Sequence, residues 1–240
     1  MENIIIHKAE TRGNTNLGWL NSYHTFSFGN YYNPDRINFG VLRVLNDDII
    51  KGGRGFDEHP HNNMEIISIP IYGALAHKDN LGNEYIITEN DIQVMSDGSG
   101  ILHSEYNANE DSDANFLQIW LITKERNLKP RYEHRNFEPH LRKNNLQLIV
   151  SPDGRNNSNK IYQNAFLYLS DLDKNLKIQF SKNINENLVY IFIIDGNVKI
   201  ENHILNRRDA IGLIDIHSIE IISIENSKII LFEIPNIIVK

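Results

Sequence analysis

The sequence contains no cysteine. This absence excludes disulfide bonds and thiolate ligands, so any metal site must use nitrogen and oxygen donors. Long hydrophobic runs are missing too. The apolar run near the N-terminus is far shorter than a signal-peptide core, and the later run LVYIFII is too short to cross a membrane. We therefore expect a soluble, cytoplasmic protein that has no membrane contact.

An excess of positive charge is also absent, since the formal net charge is −7. Proteins that bind nucleic acids usually carry a basic face, so direct binding of DNA or RNA is not expected. The acidic charge leaves protein partners open. We expect a monomer.

Amphipathic helical periodicity is scarce along the chain. The sequence instead has many short apolar runs rich in Ile and Val, such as FGVLRVL, FLQIWLI and KIILFEI. Clusters of Gly, Asn and Asp separate these runs, which is typical of short strands joined by turns. The pattern predicts an all-β sandwich or barrel.

The length of 240 residues fits either one large β domain or two smaller domains. A charged segment that contains Pro130 and Pro139 interrupts the strand pattern. We therefore predict an N-terminal domain over residues 1–135 and a C-terminal domain over residues 136–240.

A weak internal repeat supports two copies of one β unit. In each half a glycine, Gly73 or Gly196, opens a strand that is followed by a polar turn. An aspartate, Asp91 or Asp209, then precedes another apolar strand.

Two pairs of polar residues indicate a metal site. His59 and His61 in HPHNNME are two positions apart, so in a strand both side chains project from the same face. His103 and Glu105 form a second pair with the same spacing. The first pair alone is weak evidence, because most histidines bind nothing. An inward-facing glutamate is costly unless it is paired or bound to a cation, so the two pairs together favour a site with three imidazoles and one carboxylate.

These residues resemble the motifs of the cupin superfamily of small β-barrels. The residues of the first motif are Gly53, His59, His61 and Glu65, and those of the second are Gly100, His103 and Asn107, with Gly98 where the motif usually has proline. Within the cupins, the chain resembles the pirin family, and in particular its bacterial quercetin 2,3-dioxygenases. The similar segments span residues 7–155 and include GWLNSYHTFSFGNYYNP, HPHNNMEI and MSDGSGILHSEYN.

The resemblance implies two stacked cupin β-barrels with few short helices, of which only the first binds a metal. The implied ligands of one divalent transition metal (Fe, Zn, Mn, Ni, Co or Cu) are His59, His61, His103 and Glu105. In the second barrel, the positions that match the first two histidines fall near Lys182 and Ile184, which are not expected to bind metal.

The implied activity is that of a metal-dependent dioxygenase that opens the flavonol ring of quercetin-like substrates with O2 and releases CO. Glu105 is expected to act both as a metal ligand and as the catalytic base. The alternative is a pirin-like regulatory protein that binds metal and protein partners without catalysis.

Other polar and aromatic residues receive structural expectations. Glu65 is expected to be an ion-pair or hydrogen-bond partner near the barrel mouth rather than a ligand. His24 is expected to be either a hydrogen-bonded packing residue or a pocket residue near the metal. Four further side chains are expected to have structural roles: His77 and His134 on the surface or in a strand, and Trp19 and Trp120 in the core.

Overall fold

The computed structural model describes residues 4–236, and nearly all regular structure in this range is β-strand. The strands of the first half are β1 (Ile4–His7), β2 (Gly13–Asn16), β3 (Leu20–His24), β4 (Leu42–Ile50), β5 (Gly55–His61), β6 (Met64–Tyr72), β7 (Ala74–Asp79), β8 (Glu84–Thr88), β9 (Asp91–Ser96), β10 (Ile101–Asn107), β11 (Ala114–Ile122) and β12 (Arg131–Asn136). Those of the second half are β13 (Gln147–Ser151), β14 (Asn159–Lys160), β15 (Phe166–Leu172), β16 (Lys177–Ser181), β17 (Leu188–Asp195), β18 (Val198–Ile200), β19 (His203–Leu205), β20 (Ala210–Leu213), β21 (Ser218–Ser223) and β22 (Ser227–Ile234).

Among the described residues, helical structure is limited to one α-helical turn, α1 (Pro139–Arg142), and the short 3₁₀ turns Ala9–Thr11 and Arg155–Asn157. No helix within residues 4–236 has the length and apolar character needed to cross a membrane.

The strands form four sheets, which make two units of the same design. In the first unit a seven-stranded sheet (β12-β9-β6-β11-β4-β3-β2) accompanies a four-stranded sheet (β5-β10-β7-β8). In the second unit a seven-stranded sheet (β1-β20-β17-β22-β15-β13-β14) accompanies a four-stranded sheet (β16-β21-β18-β19). The eight strands β4–β11 and the eight strands β15–β22 occupy matching places in the two units. The predicted internal repeat therefore corresponds to a repeated topology.

The central core lies between the two units. Strands of both seven-stranded sheets contribute buried side chains to one large apolar cluster, which includes Leu45, Ile67 and Leu117 from the first unit and Leu167 and Phe232 from the second. Because successive side chains of a strand point to opposite faces, the alternate positions of β4, β6 and β11 face the interior of the first unit. These strands are buried on both faces, which explains their nearly continuous apolar sequences.

The interiors of the two units differ. A large apolar cluster that includes Val189, Ile191 and Leu231 fills the second unit. The first unit has only two small clusters, one around Leu75 and Phe116 and one around Ile66 and Met95. The remaining interior of the first unit carries polar side chains, and the candidate site lies there.

Buried polar contacts join the units. The guanidinium of Arg208 donates to Asp47 Oδ2 at 2.7 Å, and both residues are 5% exposed. The N-terminal strand β1 pairs with β20 of the second unit, and His7 Nδ1 lies 2.8 Å from the hydroxyl of Tyr190. Strand β1 therefore belongs to the second unit, although it precedes the strands of the first unit in the chain.

The all-β prediction is confirmed, and two units of cupin-like design are present. Each predicted barrel is a pair of sheets rather than one closed ring of strands. The domain boundary between residues 135 and 136 stays a prediction. The sheets do not follow this boundary strictly. Strand β1 lies before the boundary but belongs to the second unit, and β12 of the first unit extends past it to Asn136.

Candidate metal centre

The two predicted residue pairs lie on neighbouring strands of the four-stranded sheet. Strands β5 and β10 are antiparallel, and His59 lies directly opposite His103. A β-bulge follows, so that Glu105 lies opposite Phe56. Alternation along β10 buries His103 and Glu105, each of which is 1% exposed. The two-residue spacing therefore places each pair on one face, as the sequence predicted.

Three histidines converge at this place. The ring centroids of His59 and His103 are 4.5 Å apart, those of His59 and His61 are 4.7 Å apart, and those of His61 and His103 are 4.9 Å apart. One ring nitrogen of each lies within 4.8 Å of the others. Glu105 belongs to a second such group, with His103 and His77. The four predicted ligands are thus connected through His103.

The imidazoles have ring nitrogens that are free to bind a cation. His59 donates through Nδ1 to the carbonyl of Asp57 at 2.7 Å, which leaves its Nε2 with a lone pair. The Nε2 atom of His103 is buried and has no hydrogen-bond partner in the described part of the chain. Burial and the neighbouring histidines lower the pKa of His61 to about 4 and that of His103 to about 3. Both rings are therefore neutral near pH 7, and a transition metal would satisfy the unpartnered nitrogen.

A second pair of side chains supports His103 from behind. His77 Nδ1 lies 3.5 Å from His103 Nδ1, and His77 Nε2 lies 3.2 Å from Asp79 Oδ2. If His77 donates to Asp79, its Nδ1 accepts the proton on His103 Nδ1. Asp79 is itself held by the backbone N–H groups of Leu81 and Asn83. This arrangement fixes the His103 tautomer that exposes Nε2.

Three side chains of the seven-stranded sheet hold the carboxylate of Glu105. Gln118 Nε2 donates to Oε2 at 2.6 Å, and Gln93 Nε2 and the Ser68 hydroxyl donate to Oε1 at 3.2 and 3.1 Å. Tyr132 donates to the amide oxygen of Gln93 at 3.1 Å and so fixes its orientation. These donors fix the position of the Glu105 carboxyl group, as partners behind a metal ligand do.

The donors belong to a polar row that crosses the seven-stranded sheet at one level. The strand register places His24 opposite Asn46, Asn46 opposite Gln118, Gln118 opposite Ser68, and Ser68 opposite Gln93. The row faces strands β5 and β10, which carry the predicted ligands. An apolar interior could not hold a buried carboxylate at this place without these partners.

A cavity of about 360 Å³ opens in front of the histidines. Its walls include the apolar side chains of Leu17, Leu20, Phe28, Phe56 and Trp120, and its polar lining includes His24, Asn46, Asp48, His59, His61, Glu105 and Gln118. Pockets of this size with apolar walls and a few polar groups are typical of small-molecule sites.

The structure also shows where His24, Trp19 and Trp120 lie. His24 satisfies both alternatives, because it lies 2.9 Å from Thr15 Oγ1 and from Asn46 Oδ1 and also lines the cavity. Trp19 packs against Phe56. The core expectation for Trp120 is wrong in part, because its ring lines the cavity and lies nearly perpendicular to that of His61, with the ring centroids 4.9 Å apart.

The strand alternative is the right one for both His77 and His134. His77 lies in β7 with 1% exposure, and His134 is a half-buried residue of β12. Glu65 is a hydrogen-bond partner as expected, but it does not lie near the barrel mouth. It is fully buried, faces the second unit, and accepts hydrogen bonds from the backbone of Tyr162 and Gln163. Burial raises its pKa.

The polar row and Asp48 were not predicted from the sequence. The signal for them was present, because Asn46, Asp48, Ser68 and Gln118 interrupt apolar strands such as VLNDDII and FLQIWLI. A polar residue in the middle of a strand that is buried on both faces indicates a partner or a ligand.

The fold and the site together define a two-domain cupin with a candidate metal centre in its first domain. The family model described as Pirin matches residues 6–121, and the model described as quercetinase C-terminal cupin domain matches residues 148–234. A quercetin 2,3-dioxygenase of Escherichia coli K12 is 39% identical over 97% of this chain and 99% of its own length. The chain belongs to the pirin family.

The solved structures agree with this assignment. The bacterial pirin YhhW of Escherichia coli in complex with nickel(II) is 38% identical, with a TM-score of 0.92 over 98% of this chain and all of its own. A quercetin 2,3-dioxygenase structure from Acinetobacter baumannii, at 18% identity and a TM-score of 0.76, supports the fold alone. The predicted pirin-type bicupin fold is confirmed. The predicted place among quercetin 2,3-dioxygenase-like oxidoreductases is confirmed by the names of full-length relatives.

Proposed function

We propose that this protein is a metal-dependent dioxygenase that opens the central ring of quercetin-like flavonols with O2 and releases CO. The observation that carries the proposal is the cavity, which places apolar and aromatic walls in front of three converging histidines and a buried glutamate. A flat aromatic substrate fits such walls, and a regulatory protein would not need an open cavity at its metal site.

His59, His61, His103 and Glu105 would hold one divalent transition metal. The lone pair of His59, the unpartnered Nε2 of His103 and the carboxyl oxygens of Glu105, held in place by Gln118, suit this role. When bound, the metal supplies a Lewis acid that orients the oxygen atoms of the substrate. The nitrogen and oxygen donor set accepts Ni, Fe, Mn, Co, Cu or Zn, and the relative solved with nickel makes Ni the first metal to test.

Glu105 would also take the proton of the flavonol 3-hydroxyl group. Its carboxyl group lines the cavity, and donors from the opposite sheet fix its position. A proton acceptor is therefore in place where the substrate would bind. In the overall reaction O2 is the oxidant. The ring carbon that bears the 3-hydroxyl leaves as CO, and both oxygen atoms of O2 enter the ester product.

The test is an aerobic assay of protein loaded separately with each metal. We expect at least one metal form to bleach quercetin and to release one CO per quercetin consumed. His61→Ala should lose both metal and activity, because it removes a nitrogen donor from the cluster. His140→Ala is the matched control, since His140 is an exposed histidine paired only with Glu138.

Metal-loaded protein that leaves quercetin unchanged with every metal would refute the dioxygenase proposal. The regulatory alternative would then gain support if protein partners distinguish the wild type from His61→Ala.

A further inference from the structure

Asp48 is a buried carboxyl group that the proposed metal site does not use. It lies on β4 two positions after Asn46, so it faces the interior of the first unit. Its cross-strand neighbours are Ser22 on β3 and Phe116 on β11. Asp48 therefore lies next to the polar row that holds Glu105, two residues further along β4, and it adjoins the apolar cluster that contains Phe116.

One oxygen of this carboxyl group lacks a hydrogen-bond partner within the described chain, although Ser22 donates a hydrogen bond to the group. Asp48 is 4% exposed, and its Oδ1 atom has no hydrogen-bond partner among residues 4–236. Burial and the nearby carboxylates of Asp47 and Glu105 raise the pKa of Asp48 to about 7. An unsatisfied buried oxygen is costly, and Asp48 lines the same cavity as His59 and His61.

We propose that Asp48 determines the substrate specificity of the cavity, where its carboxyl group accepts a hydrogen bond from a hydroxyl group of a polyhydroxylated aromatic ligand. This hydroxyl group is a different one from the group that faces the histidines and Glu105. The inference rests on the proposed function, because it takes the ligand to be a flavonol or a related polyphenol.

The chemistry favours a hydroxyl group at this position. The carboxyl group can accept a hydrogen bond whether it is neutral or ionised. A phenolic hydroxyl on an aromatic ring supplies the donor, and the ring itself can contact Phe56 and Leu20 in the wall. A site built to bind a hydroxyl group rejects an analogue that lacks it, because the buried acceptor is then left unpaired.

The test compares two ligands in anaerobic equilibrium dialysis with nickel-loaded protein. Quercetin carries hydroxyl groups on its outer rings, whereas 3-hydroxyflavone carries only the 3-hydroxyl. We expect Asp48→Leu to raise the Kd of quercetin about tenfold to hundredfold and to change that of 3-hydroxyflavone less than about threefold. Asp48→Asn keeps an acceptor oxygen at the same place and should bind quercetin within about threefold of wild type.

Two controls separate this effect from damage to the fold. Each variant should bind one nickel ion as the wild type does, and Asp113→Asn, which removes an exposed carboxylate, should bind both ligands normally. Equal losses for both ligands, no loss for quercetin, or a wild type that binds neither ligand would overturn the inference. Quercetin that binds through Asp48 without being consumed in air would overturn the dioxygenase proposal and leave the inference standing.

Discussion

His77 offers a direct test of how the metal centre is oriented. We predict that His77→Phe lowers metal affinity without unfolding the protein. The phenyl ring can keep the stacking on Tyr132, whose ring centroid lies 4.6 Å from that of His77, but it cannot accept the proton of His103 Nδ1. The ligand His103 would then lose the contact that fixes its tautomer.

The structure sets the size of the effect. Both imidazoles are 1% exposed, so water cannot easily replace the lost partner. Loss of a second-layer partner of a metal-binding histidine costs about tenfold to hundredfold in affinity. The His77–His103 contact is long, at 3.5 Å, and we therefore expect the lower end of this range, about a tenfold increase in the metal Kd.

The assay is a competition titration with a chromophoric chelator. Asp79→Asn should give a smaller loss in the same direction, because it weakens the anchor of His77 and keeps the imidazole. His134→Phe is the matched control, since His134 belongs to the same aromatic cluster but contacts Tyr85 rather than the metal group. An unchanged Kd in His77→Phe would refute the role of His77, and complete loss of binding would instead identify His77 as a ligand.

Two predictions concern stability at the contact between the units. Burial lowers the pKa of His7 from 6.5 to about 4. Between these pH values the unfolded chain binds a proton at His7 and the folded protein does not. The free energy of unfolding therefore falls as the pH falls through this range. His7→Gln does not titrate, and its amide can still form a hydrogen bond with Tyr190. From pH 7 to pH 5 the free energy of unfolding, measured by urea titration, should fall by about 2 kcal/mol more in the wild type than in His7→Gln. An equal fall in both proteins would contradict this prediction. Asp47→Ala leaves the 5% exposed Arg208 without its carboxylate and should cost about 3–5 kcal/mol, measured by the same titration, with a smaller loss in the double variant Asp47→Leu/Arg208→Met. A loss below about 1 kcal/mol in the single variant would show that Arg208 finds another partner.

Much of the fold follows from local features of the chain. The short apolar runs and turn residues predict strands, and the glycines Gly73 and Gly196 mark the same turn in both units, with φ near +82° and +81°. Such a conformation favours glycine, so the internal repeat could be found from the sequence. The domain boundary could not be placed as cleanly, because the pairing of β1 with the second unit is a long-range contact that no local pattern signals.

The candidate site divides in the same way. The spacing of His59 with His61, and of His103 with Glu105, depends only on the two-residue period of a strand, and so the sequence by itself determined which side chains share a face. Other contacts join strands that are far apart in the chain. They are the pairing of His59 with His103, the support from His77 and Asp79, and the donors that hold Glu105. Only the tertiary structure decided these, because strand register and sheet packing bring the partners together. The same packing leaves the first unit open where the second is filled with apolar side chains, and this difference places the cavity in front of the histidines.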